Sequence, residues 1–271
     1  MASTLPAQGE GFRKTPQELA AYNAACPKTS TYYARIFKFV HRGTKEETFH
    51  ATNEKKMVDK FKISFEFITH PTFVFDEKKG PQPWTAHVES KLSTDDRSNL
   101  YKWIKSIFQA DPIVMADLIA GKFKISSLLN RLVMIEVEQK ISKPDARNPN
   151  QANLTVKNIL APMVVSGLDL TGYQTQKLYN ELVLFDVNDF IAGVPADREA
   201  FKKLYAWEQK DIFTTEEVIA SRLRLDDFKT DKSTAAQQSY NVGQQAPSQD
   251  YRTASTPEND DFGDPATEDV F

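Results

Sequence analysis

Between residues 57 and 69 the chain alternates almost without a break. Phe61, Ile63, Phe65 and Phe67 take one parity, and Lys60, Lys62, Ser64 and Glu66 take the other. A period of two puts one set on a core and the other on the opposite face of a strand. Residues 31–42 are rich in aromatic and β-branched side chains and predict an earlier strand. Its two faces would carry Tyr33, Arg35, Phe37, Phe39 and His41 on one side, and Tyr32, Ala34, Ile36, Lys38 and Val40 on the other. Gly43 predicts a turn after it. An extended stretch over 71–75 and a turn at Lys79-Gly80-Pro81 lead to a third strand. There Trp84, Ala86 and Val88 alternate with Thr85, His87 and Glu89.

The period then changes. Leu100, Trp103, Ile104, Ile107 and Phe108 recur at helical spacing behind capping residues Ser93–Asp96, and a second helical stretch follows Pro112. Leu132–Val137 and Asn153–Leu160 read as strands around a turn-rich loop, 142–153. A strand over Leu182–Phe185 and helical stretches around Asp197–Lys210 and Thr215–Leu223 complete the body. Ahead of it, Thr15-Pro16-Gln-Glu18 has the cap, first-turn proline and third-position glutamate of a helix start, continuing through Asn23.

Five strands with a helix between the third and fourth are the layout of an oligonucleotide-binding (OB) barrel, although alternation alone also allows other small barrels. The expected class is therefore α+β, mainly β: an OB-fold-like five-stranded barrel with helical additions. Four regions follow. Residues 1–29 form an N-terminal extension with a short helix, and 30–228 form the body. Residues 229–257, rich in Ser, Thr, Gln, Ala and Pro, read as a flexible linker. Residues 258–271 read as a disordered acidic tail, because they hold too little apolar surface to offset the entropy of ordering.

Charge sharpens this division. The 271 residues carry a formal charge of −3, and six carboxylates lie within 258–271 without a Lys or Arg. Setting them aside leaves residues 1–257 at +3, a mildly basic body with an acidic counterweight. Cys26 is the only cysteine, which excludes an internal disulfide and a Cys-based zinc site and fits a reducing compartment. The first ten residues predict no secretory signal, and no apolar run approaches the ~20 residues of a membrane span. A cytoplasmic location, without membrane contact, is the expectation.

The basic residues cluster. Lys28 to Lys62 holds nine basic and four acidic residues, interleaved with Tyr32, Tyr33, Phe37, Phe39, Phe49 and Phe61. Cations track a phosphate backbone and rings stack on bases, the pairing that sequence-tolerant single-strand binding requires. The candidate cations are Arg35, Lys38, Arg42, Lys55, Lys56, Lys60 and Lys62. The candidate stacking rings are Tyr32, Tyr33, Phe37, Phe39 and Trp84. The competing reading makes the rings core and the lysines a solvated sheet edge. Phe61, Ile63, Phe65, Phe67 and Trp103 belong to the core on either reading.

Signals for catalysis are weak. His41, His50, His70 and His87 fit no metal-ligand spacing, Gly121-Lys122 lacks the earlier glycine of a phosphate loop, and no Gly-x-Ser-x-Gly occurs. Asp186, Asp189 and Asp197 read as loop and cap residues. No catalytic residue, metal or cofactor is expected.

Asp260-Asp261-Phe262-Gly-Asp264 and Glu268-Asp269-Val270-Phe271 make an acidic run closed by Phe, and through this tail the chain shows a resemblance to bacteriophage-type single-stranded DNA-binding proteins. In the body it spans roughly residues 30–190. It rests there on Tyr33-Ala-Arg35, on Phe61-Lys-Ile-Ser-Phe-Glu-Phe67, and on Ile125-Ser-Ser-Leu-Leu-Asn-Arg131 leading into Leu132–Val137. Related proteins often have Leu-Leu-Gly-Lys where this chain has Leu128-Leu-Asn-Arg131 and, in the bacterial forms, Ile-Pro before the final Phe where this chain has Asp-Val. The resemblance implies a non-enzymatic binder of single-stranded DNA in phage replication or recombination, working in the host cytoplasm. Its tail (Asp260, Asp261, Asp264, Glu268, Asp269, Val270 and Phe271) would recruit replication or recombination proteins and compete with DNA for the groove. A tail that only aids solubility is the plainer alternative. Two rival functions remain at this point: a phage nuclease or ligase-like enzyme using the histidines and aspartates, and an interaction or virion-assembly protein that touches no DNA.

Overall fold

The computed structural model describes residues 14–49, 53–76, 80–93, 95–143, 149–163 and 170–228. The linker and tail expected over 229–271, His50, and most of the N-terminal extension lie outside the described residues. Helix α1 (Pro16–Ala25) opens as its sequence demands. Thr15 Oγ1 accepts from the Glu18 backbone N–H at 3.2 Å, and the Glu18 carboxylate accepts from Thr15 N at 2.7 Å. Strands β1 (Ser30–Phe49) and β2 (Glu54–Phe67) form a long hairpin. A small hairpin of β3 (Phe73–Asp76) and β4 (Gly80–Gln82) leads to β5 (Thr85–Lys91). Helices α2 (Asn99–Phe108) and α3 (Pro112–Ile119) and a single 3₁₀ turn (Ile125–Leu128) precede β6 (Leu132–Ile141) and β7 (Ala152–Leu160). Then come α4 (Leu170–Thr175), β8 (Val183–Asp186), α5 (Val187–Ala192), α6 (Pro195–Lys202), α7 (Ala206–Ile212) and α8 (Glu216–Ser221), ending in a 3₁₀ turn over Leu225–Phe228.

The class is α+β. Five strands run antiparallel in the order β5-β2-β1-β6-β7, and β8 joins β1 in parallel through Lys38–His41. The expected closed barrel is corrected: among the described residues no ladder joins β7 to β5. Helix α2 packs against both of these strands and covers the open side with apolar side chains instead of a hydrogen-bonded seam.

Gly43 does not end β1. It takes φ +87° at a bulge opposite Lys60, and pairing with β2 continues to Phe49. A side chain there would meet the Glu217 carboxylate at 2.7 Å, so the position needs both the φ and the smallness of glycine. A second bulge at Phe37 shifts parity midway along β1. Before it, Ala34 and Ile36 face the core. After it, Phe39 does, and Lys38 opposes Ser64 on the outer face. The expected single face of Tyr33, Arg35, Phe37, Phe39 and His41 is therefore broken at Phe37, because one inserted residue reverses every side chain after it.

Two apolar clusters result. The larger lies between the sheet's inner face and α2, around Phe39, Phe61, Ile63, Phe65, Trp84, Trp103 and Ile135. The second belongs to residues 183–228 and is centred on Phe185, Phe190 and Phe201. Phe190 and Phe201 stack at 4.6 Å, and among the described residues of the long hairpin only Val40 enters this cluster. Each fully buried side chain of this size contributes about 1.5–3 kcal/mol, so residues 183–228 have a core of their own. They form a cap over the sheet's outer face.

Candidate nucleic-acid interface

Five of the expected cations meet on that outer face: Arg35, Lys38 and Arg42 on β1, with Lys60 and Lys62 on β2. The alternation of β2 explains its pair, since Phe61, Ile63, Phe65 and Phe67 occupy the core and turn their neighbours outward. The cap covers this face. Lys38 and Lys62 each reach one oxygen of Glu208 on α7 at 3.0 Å, and all three side chains are 3% exposed or less. The Tyr205 backbone N–H also donates to Glu208, at 3.0 Å. The Lys38 ammonium stands 4.0 Å from the centre of the Tyr205 ring, and that of Lys62 stands 4.1 Å from Trp207. The two rings lie nearly parallel, 6.3 Å apart with 13° between planes. Arg42 joins Glu89 of β5 at 2.5 Å and also Asp211 of the cap, which Lys45 shares. Arg35 donates to Asn130 and to the carbonyl of Gln176. Glu66, opposite Arg35, accepts from the backbone of Tyr179 and Asn180 at 2.9 and 2.8 Å.

The electrostatics follow from two ammonium groups facing one carboxylate. Burial alone would raise the Glu208 pKa, but Lys38 and Lys62 outweigh it and hold the carboxyl down to about 2. Burial lowers Lys62 to about 8, more than Glu208 can restore, and Lys38 adds repulsion. These shifts pull opposite ways across one salt bridge because a single carboxylate cannot compensate the desolvation of two cations. Lys45 likewise falls to about 8 through burial and then the charges of Arg42 and Lys60. His87, beside this cluster, is pushed well below the usual histidine range by burial and then by Lys62. His41 behaves differently. Burial opposes its charge, but Asp186 at 3.0 Å and Asp59 at 2.8 Å grip both ring nitrogens and raise its pKa. Both nitrogens being engaged, His41 works as a clamp between strand and cap.

The expected rings are scattered. Phe39 is sealed in the main core and stacks on Phe61 at 5.3 Å. Trp84 is 1% exposed, packed against Tyr22 and Phe73. In this arrangement both are core residues with no face to offer a base. Tyr32 packs edge-on against Phe67 and donates its hydroxyl to the Lys28 carbonyl, away from the cations. Tyr33 donates to the Met163 carbonyl and lies 5.9 Å from Tyr173. Phe37 alone borders the cationic cluster. It is buried in a cleft between sheet and cap, with Lys62, Ser64, His87, Tyr205 and Trp207. Lys55 and Lys56 sit exposed near the tip of the β1–β2 hairpin, paired with Glu46 and Glu54, and Lys60 pairs with Glu47. The tail candidates Asp260, Asp261, Asp264, Glu268, Asp269, Val270 and Phe271 lie outside the described residues.

Sequence reasoning missed Tyr205, Trp207, Glu208 and Asp211. Their one local signal is Glu208 three residues after Tyr205, which marks a helix start and reveals nothing of partners 146 and 170 positions away. Among the described residues no group of His, Cys, Asp and Glu is arranged to hold a metal ion, and no helix is long and apolar enough to cross a membrane. No protein-family model, curated protein or solved structure matches this chain.

Proposed function

We propose that this chain binds single-stranded DNA in phage-type replication or recombination, without catalysing a reaction. The observation that carries the reading is the gathering of Arg35, Lys38, Arg42, Lys60 and Lys62 on one sheet face. Four of the five lie buried and partnered, and Lys38, Arg42 and Lys62 do so beneath residues 183–228; once uncovered, a cationic sheet face of this kind tracks a sugar–phosphate backbone. The strand order supports an OB-like body. The first long strand is central, the second and third lie to one side, the fourth and fifth to the other, and helices separate the third from the fourth. OB sheets bind oligonucleotides on the face formed by their second and third strands, and β2 and β5 hold those places here. The acidic sequence 258–271 suits recruitment of a replication or recombination protein in the cytoplasm.

Fluorescence titration of the full chain with oligo-dT at several salt concentrations tests the reading. Engagement of about four phosphates gives a log K against log[salt] slope near −3, at ~0.7 per phosphate. The triple substitution K55A/K56A/K60A, at exposed or half-exposed positions, weakens binding and flattens that slope. Absence of binding at low salt, or a slope near zero, rejects the proposal.

A further inference from the structure

We infer that the cap, residues 183–228, is an internal stand-in for a nucleic-acid strand, and that single-stranded DNA binds by lifting it from the β1–β2–β5 face. The inference rests on the function just proposed and concerns how that site is reached. Three observations carry it. First, the segment Tyr205–Asp211 has the chemistry of a short oligonucleotide. Two near-parallel rings, Tyr205 and Trp207, lie over the Lys38 and Lys62 ammonium groups, where bases would stack. Two carboxylates, Glu208 and Asp211, take the cations that phosphates would take. Second, cap and sheet have separate apolar cores, and the layer between them is largely polar. It holds the Lys38–Glu208–Lys62 triad, the Arg42–Asp211–Lys45 bridge, the His41–Asp186 pair and the Thr44–Glu217 hydrogen bond. Lifting the cap as a unit breaks the short β1–β8 ladder at Lys38–His41 and withdraws Val40 from the second cluster, but it leaves Phe185, Phe190 and Phe201 packed together and otherwise exposes mainly charged groups, which water and phosphate can satisfy. Third, the cleft beside Phe37, Ser64 and His87 opens along this junction and reaches the Lys62 and Trp207 side chains. The cleft has room for about one water, so solvent reaches the junction at Lys62 while a base must wait for the cap to move.

Two measurements on the full chain decide the matter. Asp211→Asn loosens the bridge from Arg42 and Lys45 without stranding a buried charge, because Arg42 keeps Glu89 and Lys45 is partly exposed. The variant is expected to bind oligo-dT at least threefold more tightly than the parent. Hydrogen exchange at the backbone amides of 183–186, which pair with β1, is expected to accelerate when saturating oligo-dT is added. Unchanged or weaker binding by the variant overturns the inference, as does unchanged or slower exchange at 183–186 in a chain that does bind oligo-dT; either result leaves the proposed function standing. Failure of both parent and variant to bind oligo-dT rejects the function itself.

Discussion

Glu208→Gln removes the one carboxylate between two buried ammonium groups. The parent side chains of Lys38, Lys62 and Glu208 are all 3% exposed or less, so water cannot replace the lost partner without structural change. Breaking a buried pair in this way costs about 3–5 kcal/mol. The titration behaviour gives a second route to the magnitude. The Glu208 carboxyl moves from 4.5 to about 2, which at ~1.4 kcal/mol per unit is on the order of 3 kcal/mol of preference for the ionised form. The expected loss is therefore about 3 kcal/mol at pH 7, read as a lower urea midpoint with an unchanged slope.

The same variant carries a pH signature that packing loss would not. Lys62 sits at about 8 in the folded chain against 10.5 when free. Between those values the unfolded chain binds more protons, so the stability of the parent rises with pH across this window. Without Glu208, Lys62 loses its counter-charge and sheds its proton at lower pH. The deficit of the variant should then shrink by half or more between pH 7 and pH 9.5. A deficit under about 0.5 kcal/mol at pH 7 would show that the triad is not the buried, paired cluster described above. A large deficit that stays constant to pH 9.5 would assign the loss to shape and refute the electrostatic account.

Two further outcomes follow from the same geometry. Acid should loosen the cap: the stability contributed by the depressed Glu208 carboxyl is fully present above about 4.5 and is lost as pH falls toward about 2. Urea midpoints that do not decline across this window would contradict it. Gly43→Ala forces a side chain into the left-handed region and against the Glu217 carboxylate; a loss of at least about 1–2 kcal/mol is expected, and a thermal midpoint equal to the parent's would remove Gly43 from its role at the bulge.

The parts of the fold that were legible in the sequence are those written in local periodicity. The alternation at 61–67 became β2, the helical spacing from Leu100 to Phe108 became α2, and Leu182–Phe185 became β8 shifted by one residue. What escaped was non-local. Nothing near Phe37 announces a bulge, yet that one residue moved Phe39 from the outer face into the core and turned Lys38 outward. Gly43 was read as a turn because glycine with positive φ serves turns and bulges equally, and only the partner strand decides between them. The stretch 197–210 read as one helix, and the chain breaks it after Lys202 into α6 and α7, which sets Glu208 beneath Tyr205 and Trp207. The cations were identifiable because they share one short region. Their rings and counter-charges were not, because these come from a segment about 150 positions later, where no spacing rule connects the two.

A buried layer of charge between two apolar cores is a poor device for stability alone. Well-packed apolar side chains of similar volume hold such layers together as firmly, often more so. Had β1 and β2 carried them in place of Lys38, Arg42 and Lys62, the cap would be fastened permanently, and any lifting would expose a greasy sheet prone to association. With cations in those places the sheet stays compatible with water when uncovered, and a polyanion gains the contacts that Glu208 and Asp211 give up. Fixed neutralisation from within the chain also lowers the affinity of the covered face for the anions that surround it. Only a ligand that supplies rings and phosphates together can replace every contact that Tyr205–Asp211 makes. Under the function proposed above, this favours an unpaired strand, whose bases are free to stack, over a duplex, whose bases are not.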